Sequence, residues 1–515
     1  MKTLRRPTRP IEFLCDDPNL TAAAGLVTVA ELDRVAGIAA HIDAAVGPLA
    51  APRARGRPYR ASDVVLGFCE SQLAGGDFMC DIDTRRADTA GSALRAVTKP
   101  PASTTAGNLA KRFSLKRLVR LDRAMGELAR TFFDVAPEHE RDRLQALRPT
   151  LDVDPTEVEC YGKLKQGFSW NYQGQWAGRP MPIVWAEAGL TLTARLLSSR
   201  QDPRPRAKRM LKKALAALPE GLGRPRFRFD SGFFSGTLAS ACLELDCDYA
   251  IAVPHNPAFW KVVRAIDPQS WQPAKAMERA EVAEASYHPK DWPGTPRAIV
   301  RRVRVEADEV KSDPRSRRLK TIDKEELAAL RRGERDHVFA YSMILTSLDD
   351  DMVDLEHWFR ERAQVEERLK DSKDGAALRH LPSGYKVVNV VWMQAAFLAM
   401  NISATLSALA RPPDAERAPH DDGVDDALDD GDDEAHVEEP GGDPPSPGAL
   451  IPAPQGHRQP LRAHGKRLRR ETICVVGRIA RHARRLVVHL HPMHEDGPML
   501  RAYAALRQMP DFSGP

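Results

Sequence analysis

Three acidic residues stand at positions where they could hold metal ions: Asp154, Asp230 and Glu366. Asp154 in LDVDPT and Asp230 in FRFDSGF each follow a short apolar run typical of a strand, and Glu366 lies in FRERAQVEERLKDSK. Hard divalent cations prefer carboxylate oxygens, and a pair of such ions promotes in-line displacement at a phosphodiester. The three acids together therefore predict a metal site for phosphoryl transfer.

The first of these acids has a rival two residues away. Asp152 and Asp154 point to the same side of an extended strand, because side chains alternate between its faces. Spacing alone leaves the choice between them open. Taken singly, each acid at the end of a strand is also explained as a solvated turn or cap residue.

Residues 359–373 are predicted as one helix with a charged face. Four polar residues recur there at the steps of three or four that bring side chains together on a helix: Arg362, Glu366, Lys370 and Lys373. The cations are explained either as surface ion pairs, worth roughly a few tenths of a kcal/mol each, or as contacts to phosphates. Trp358 beside them is either a base-stacking residue or a core tryptophan.

The segments that carry these acids predict an α/β fold. In residues 149–253 short apolar strands such as MPIVWAEAG and RFRFD are separated by helical segments, which is typical of a layered sheet. Residues 254–350 contain Trp and Pro between further strands and are predicted as a β-rich insertion. Helical periodicity returns in residues 351–412, which include Glu366 and the apolar run VVNVVWMQAAFLAMNISATLSALA.

A helical N-terminal domain, residues 1–148, is predicted to precede this core. Apolar residues recur there at steps of three and four, as in TAGNLAKRFSLKRLVRLDRAMGELARTFFD. The cations of this segment form either an ordinary solvated face or a DNA-binding surface. No clear helix-turn-helix pattern decides between the two.

Charge is distributed unevenly along the chain. The whole sequence has 76 Lys and Arg against 71 Asp and Glu, but the run from Asp414 to Asp443 holds 14 of the acids and one cation, Arg417. Outside that run 75 cations face 57 acids, a net charge of +18 that favours a polyanionic partner. Residues 413–460 are predicted as an acidic disordered linker, and residues 461–515 as a basic segment with apolar residues at helical spacing.

The seven cysteines include no CxxC pair, so a reducing cytoplasm is the expected compartment. No apolar run is expected to approach the roughly 18 residues of a membrane span, and the first residues lack the apolar core of a signal peptide. We expect a soluble protein of the cytoplasm.

The charged stretch resembles the signature Tyr-x2-Arg-x3-Glu-x6-Lys of the DDE transposases of bacterial insertion sequences. Phe359, Arg362, Glu366 and Lys373 stand at the required spacing, with Phe in place of Tyr. LDVDPT and FRFDSGFF resemble the first- and second-aspartate motifs of the same family. The resemblance covers about residues 20–410 and is most specific to the group related to insertion sequence thirteen-eighty.

The resemblance implies an RNase-H-like catalytic core with a β-rich insertion between the second Asp and the Glu. It implies that Asp154, Asp230 and Glu366 are catalytic and bind two Mg²⁺ ions, which Mn²⁺ can replace. The residues it implies at the DNA are Arg362, Lys370, Lys373, Trp358 and Phe359. The implied activity is cut-and-paste transposition by a homodimer bound to double-stranded DNA, at terminal inverted repeats and at a target.

Two alternatives remain open from sequence. A nuclease of the same fold would cut DNA without joining it. A DNA-binding protein derived from a transposase would keep the helical and basic parts without strand transfer.

Overall fold

The computed structural model describes residues 14–49, 58–171, 173–312, 318–411, 465–483 and 485–514. Its helices are α1 Leu26–Ala36, α2 Ile38–Val46, α3 Ala61–Leu73, α4 Asp81–Ala87, α5 Ser103–Ala110, α6 Leu115–Val135, α7 Glu138–Gln145, α8 Arg204–Ala217, α9 Gly236–Glu244, α10 Pro257–Arg264, α11 Ala307–Ser312, α12 Lys324–Arg331, α13 Met352–Arg360, α14 Ala363–Gly375, α15 Lys386–Leu409, α16 Gly465–Leu468 and α17 Pro498–Arg507. The strands are β1 Leu20–Thr21, β2 Thr150–Val153, β3 Val158–Glu159, β4 Ser169–Trp170, β5 Trp176–Trp185, β6 Leu190–Ser198, β7 Arg226–Phe229, β8 Asp248–Ala252, β9 Gln272–Pro273, β10 Ala280–Ala285, β11 Arg297–Glu306, β12 His337–Thr346, β13 Gly477–His482 and β14 Arg485–Leu490. The fold is mixed α/β.

One large mixed sheet forms the centre of the molecule. Its main path has the order β3–β5–β2–β7–β8–β12–β11–β10–β9, and β4 and β6 also pair with β5. β7 is parallel to β2 and to β8, whereas β5, β6 and β12 join their neighbours antiparallel. The segment β6–β5–β2–β7–β8 therefore has three antiparallel strands followed by two parallel ones.

The central strands are buried on both faces because helices cover both. All four residues of β2 are buried, and so are the last three residues of β7. Helices α6, α8 and α15 pack against β6 at one end of the sheet, and α13 packs against β10 and β11. The strands β2 and β7, whose carboxyl ends precede Asp154 and Asp230, are thus held in the packed core.

Helix α15 is the central helix of the core. By length and composition it is the one helix in the described residues that could cross a membrane, but 83% of its apolar window is buried inside the protein. The expectation that no apolar run reaches that length is therefore wrong. The polar side chain of Asn401 on this helix is satisfied internally, since it accepts from Thr191 N at 2.7 Å and donates to Thr191 O at 2.9 Å.

The helices before β2 pack closely on this core. α6 begins at Ser114, whose hydroxyl accepts a hydrogen bond from Arg117 N, and it buries Leu121, Met125, Leu128 and Phe132 at steps of three and four. α3 and α6 both contact α15. The outer side of α6 carries exposed cations, and whether this segment is a separate domain remains a prediction.

The insertion predicted for residues 254–350 extends the core sheet. Strand β12 pairs with the end of β8 through Ile344 and Ala252, and β11, β10 and β9 follow it in antiparallel order. The ten-residue strands β11 and β12 are the longest strands of this segment. The parallel strands β7 and β8 therefore belong to the same sheet as β9–β12.

The basic segment after the acidic run forms a hairpin where helical spacing suggested a helix. Residues 477–490 contain β13 and β14, and β13 also pairs with β1 near the other end of the described chain. The helical interpretation of this stretch is wrong, because β13 and β14 pair along all six residues of each strand and so satisfy their backbone groups as a hairpin. α17 then packs against α1 and α15. The acidic linker, residues 413–460, lies outside the described residues.

Candidate active site

Asp154 and Asp230 lie side by side because β2 and β7 are neighbouring parallel strands. The register pairs Val153 with Phe229, and each aspartate is the next residue along its strand. Adjacent strands are about 4.8 Å apart, so two side chains that follow them at the same level converge on one edge of the sheet. The fold thus brings together two acids that are distant in sequence.

The Asp230 carboxylate is fixed by the turn that it starts. It accepts a hydrogen bond from Gly232 N at 2.9 Å and caps the short 3₁₀ helix Ser231–Phe233. Phe233 is fully buried and anchors that turn in the core. The local sequence DSGF therefore holds the carboxylate at the strand end.

The predicted helix over residues 359–373 is broken. Helix α13 ends at Arg360 and α14 begins at Ala363, with a turn at Glu361 and Arg362 between them. Within the turn, Arg362 N donates to Phe359 O at 3.0 Å instead of continuing the regular helical pattern. The break sets Arg362 at the entrance of α14, facing the sheet edge.

Arg362 joins the third acid to the first. Its Nη2 donates to Asp154 Oδ1 at 2.6 Å, and its Nη1 lies 3.6 Å from Glu366 Oε1. Arg362 and Asp154 have side chains only 12% and 13% exposed, whereas Glu366 is 67% exposed. The guanidinium is thus the central group of the carboxylate cluster, and Glu366 is its open side.

The electrostatics of the cluster reflect its surplus of acids. Burial raises the pKa of Asp154 to about 7, Arg362 opposes that rise, and the carboxylates of Asp230 and Glu366 add to it. Burial alone would lower the pKa of Arg362, but the carboxylates, Asp154 and Asp230 first, raise it. Three acids therefore share one buried cation.

The structure gives Asp152 a different environment from Asp154. Both of its oxygens accept from Arg228, at 2.7 and 2.8 Å, and the two side chains are 1% and 2% exposed. Arg228 also donates to the carbonyl of Trp358. Asp152 is therefore engaged in a buried bidentate pair, and Asp154 is the aspartate that contacts Arg362.

The sequence matches the model of the family described as transposase DDE domain group 1 over residues 6–420. The chain belongs to this family. Among solved structures, this DDE family member is similar to piggyBac transposase in its synaptic complex with hairpin DNA, at 10% sequence identity. That match covers 75% of each chain with a TM-score of 0.36. No curated protein matches the chain.

The DDE family implies divalent metal, and the acids fit such an ion by chemistry. Asp154, Asp230 and Glu366 offer the carboxylate oxygens that hard cations prefer, and their charge exceeds that of Arg362. In the described part of the chain, however, no group of three His, Cys, Asp or Glu side chains is already placed to hold an ion. An ion bound by Asp154 would therefore have to replace the contact with Arg362, and Glu366, 67% exposed, would complete the site from its open side.

The residues predicted to contact DNA differ in how exposed their side chains are. Trp358 is 7% exposed, donates from Nε1 to Thr150 Oγ1 at 3.0 Å, and lies under the guanidiniums of Arg226 and Arg228. This burial favours the alternative interpretation of a core tryptophan, and base stacking by Trp358 stays a prediction. Trp358 is a core tryptophan of the transposase fold.

The other four predicted contacts are accessible to different degrees. Phe359 is half-buried and lines a cavity beside the cluster, and Arg362 is the buried cation described above. Lys370 is exposed on α14, and Lys373 is half-buried with interactions of its own. Their contact with DNA stays a prediction.

Sequence reasoning missed an ion-pair group on the other side of the helix break. A cavity of about 290 Å³ is lined by Phe359, Arg362 and Glu366 and also by Arg301, Glu356 and Arg360. Glu356 is buried and accepts from Arg301 Nη1 at 2.8 Å. It links the inserted sheet to α13. Charged residues inside the apolar strand and helix patterns, such as Arg228 in FRFD and Glu356 in DLEHWF, were the available signal.

Proposed function

We propose that the protein is a transposase that cleaves DNA at the ends of an insertion sequence and joins the freed 3′-hydroxyl to target DNA. The observation that carries this proposal is the meeting of Asp154 and Asp230, at the ends of adjacent parallel strands, with Glu366 through Arg362. Membership of the DDE family supports it. The reaction is then cut-and-paste DNA transposition.

An RNase-H-like core is the fold proposed for the catalytic part. The strand order β6–β5–β2–β7–β8, three antiparallel strands followed by two parallel ones, supports it. In this arrangement the first and second acids follow the first and fourth strands of the core. The helices before β2 are then the N-terminal domain, and the strands β9–β12 are the insertion.

In the mechanism, Asp154, Asp230 and Glu366 would hold two Mg²⁺ ions, which Mn²⁺ can replace. When bound, such ions activate the attacking oxygen and stabilise the leaving oxygen of a phosphodiester. The fixed Asp230 turn and the buried Asp154 hold two ligands rigidly, while the exposed Glu366 closes the site. Arg362, whose guanidinium contacts Asp154 in the free protein, would then be available to bind a phosphate oxygen.

The proposed partner is double-stranded DNA, at terminal inverted repeats and at the target. A homodimer would bring two ends together on DNA. The net charge of +18 outside the acidic run, 75 cations against 57 acids, supports a polyanionic partner. The proposed location is the cytoplasm, at the nucleoid.

The test uses purified protein, Mg²⁺ and a labelled duplex that carries the element's ends together with a supercoiled target. We expect wild type to cut the duplex and to join it to the target. Asp230→Ala and Glu366→Ala should do neither, because each removes a carboxylate of the cluster. Exposed Glu127→Ala is the matched control and should behave as wild type.

Two results would contradict parts of the proposal. Cleavage by either cluster variant at the wild-type rate would remove that residue from the active site. Cleavage by wild type with no joined product would mean a nuclease of this fold instead of a transposase.

A further inference from the structure

Four cations from three elements meet at the edge of the sheet beyond β6. We call Arg195 of β6, Arg206 and Arg209 of α8, and Lys386 at the start of α15 the cationic cluster. α8 buries Ala207 and its other small and apolar residues against the core, so its opposite face points outward. The guanidiniums of Arg206 and Arg209 are therefore exposed, whereas Arg195 and Lys386 lie half-buried behind them.

The members of the cationic cluster repel one another. Burial lowers the pKa of Arg195, and the charges of Arg206 and Arg209 lower it further. Burial likewise lowers the pKa of Lys386, and Arg195 and Arg206 add to that effect. Like charges placed this closely destabilise the free protein and are relieved when an anion binds.

The cluster lacks acidic partners, although its neighbours on α8 have them. Within the described residues, no ion pair to an acid involves Arg195, Arg206, Arg209 or Lys386, and Arg206 meets only the neutral amide oxygen of Gln201, at 2.9 Å.

Other cations of α8 do have acidic partners. Arg204 pairs with Asp202 at 2.9 Å, Lys208 pairs with Glu244, and Lys213 pairs with Asp122. Asp122, the acid nearest to Arg195, also accepts from Thr193. α8 thus neutralises some of its cations and leaves one group without an anion.

A loop connects this cluster with the active site. It begins directly after Asp154 and exposes Tyr161, 79% accessible, and Lys163, whose ammonium lies over the Trp170 ring. Lys165 Nζ donates to Leu381 O at 2.7 Å, and Gln166 N donates to Gly384 O at 2.9 Å. These bonds fix the loop to the segment that leads into Lys386.

The cationic cluster lies at about the same position along the strand direction as the proposed catalytic acids. Arg195 pairs with Met181 of β5, and Thr156, two residues after Asp154, donates to Pro180 O of the same strand. β6 is two strand spacings, about 10 Å, from β2. The cationic cluster therefore lies beside the active-site end of the sheet.

We propose that the cationic cluster and the exposed loop at Tyr161 and Lys163 form a surface that binds the phosphate backbone of duplex DNA next to the active site. This surface deepens the proposed function and rests on it. Duplex DNA presents closely spaced phosphates along its axis, which suits cations spread over β6, α8 and α15. Binding to phosphates relieves the repulsion within the cluster.

The test measures the salt dependence of binding to a fluorescein-labelled duplex of random sequence by anisotropy. The variant Arg206→Gln/Arg209→Gln removes two exposed cations. We expect the slope of log K against log salt to fall by about 2 and the affinity to fall about tenfold or more at moderate salt. Thermal unfolding of the variant should match wild type, because both side chains are exposed.

The matched control is Arg204→Gln/Lys208→Gln, which makes the same charge change on the same helix at cations that are already paired. It should change the slope by less than half as much. Equal slopes for the two double variants, or a wild-type slope for Arg206→Gln/Arg209→Gln, would overturn the proposal. Lys163→Gln gives a second measurement in the loop, where the side chain is exposed, and should also lower the slope.

Failure of this surface is distinguishable from failure of the proposed function. Glu366→Gln should bind the duplex with the wild-type slope but not cleave it. If wild type cleaves element ends while the double variant binds normally, only the surface is wrong. If wild type never cleaves but the slope falls in the variant, the transposase proposal fails and the DNA surface stands.

Discussion

Asp152 and Asp154 differ by two positions and are expected to respond in opposite ways to substitution. Asp152→Asn breaks the buried pair with Arg228 and should lower the free energy of unfolding by roughly 3–5 kcal/mol, because it leaves Arg228 buried without its anion. Asp154→Asn should leave the melting temperature unchanged or higher and abolish cleavage. Thermal unfolding and the cleavage assay on both variants measure the difference.

The two outcomes separate the rival first ligands. If Asp154→Asn unfolds early and still cleaves, while Asp152→Asn is stable and inactive, the roles are reversed. The sequence left this choice open because the two side chains share a face of the strand. Arg228, which decides their environments, comes from another strand 76 residues later.

Arg362 is expected to compete with metal for Asp154. Arg362→Gln removes the guanidinium bonded to Asp154, so Mn²⁺ binding without DNA should strengthen several-fold, as measured by electron paramagnetic resonance. DNA cleavage should fall at the same time, because a cation proposed to bind phosphate is lost. Glu361→Gln, in the same turn, is the control. Weaker Mn²⁺ binding by Arg362→Gln would show that the arginine supports the ion.

At the residue scale, the sequence predicted correctly which side chains converge, but it did not predict which residues surround them. Asp154, Asp230 and Glu366 were chosen from strand ends and a charged motif, and the fold places them around one guanidinium. Trp358 was predicted as a DNA contact from its adjacency to the motif, and adjacency in sequence says nothing about burial. The residues that contact its ring, Arg226 and Thr150, come from strands β7 and β2, far from it in sequence.

Helix α3 contains a carboxyl group that should make stability depend on pH. Glu70 is fully buried and accepts from Ala96 N at 2.8 Å, and burial raises its pKa from 4.5 to about 8. The folded state therefore holds the proton more tightly than the unfolded state. The contribution of Glu70 to stability is highest below pH 4.5 and is lost progressively as pH rises towards about 8.

Glu70→Gln keeps an acceptor oxygen and stays neutral at every pH. We expect the variant to be more stable than wild type above about pH 8, on the order of a few kcal/mol, with the difference shrinking towards pH 5. Urea unfolding at a series of pH values measures this. The exposed Glu127→Gln on α6 should give a difference that does not vary with pH. A constant difference for Glu70→Gln as well would mean that Glu70 is ionised in the folded protein.

At the element scale, periodicity predicted the order of strands and helices but not where long-range pairing changes them. The break between α13 and α14 contains neither Gly nor Pro, so no local signal marked it. It follows from the Arg362 contact to Asp154 on the sheet. The stretch GRIARH fits a helical period, yet it forms β13, which pairs along its whole length with β14. Two of its residues also pair with β1, more than 450 positions earlier.

The whole molecule depends on the return of residues 465–514 to the N-terminal helices. Leu506 is fully buried where α17 packs against α1 and α15, so Leu506→Ala should lower the free energy of unfolding by roughly 2–5 kcal/mol. Met493→Ala, in the same segment but 75% exposed, is the control and should have little effect. Thermal unfolding of both variants measures the difference. Equal melting temperatures would mean that this segment is dispensable for the core.

The packing of the last residues against α1 has a consequence for when folding can be completed during synthesis. Arg34 at the end of α1 donates to Asp511 Oδ1 at 2.5 Å across 477 positions. A ribosome adds roughly 5–20 residues per second, so α1 waits on the order of half a minute or more for its partner to be made. During that interval the apolar side of α1 that α17 later covers is open to water and to other chains. A chain that lacks α17 would therefore leave this side of α1 uncovered.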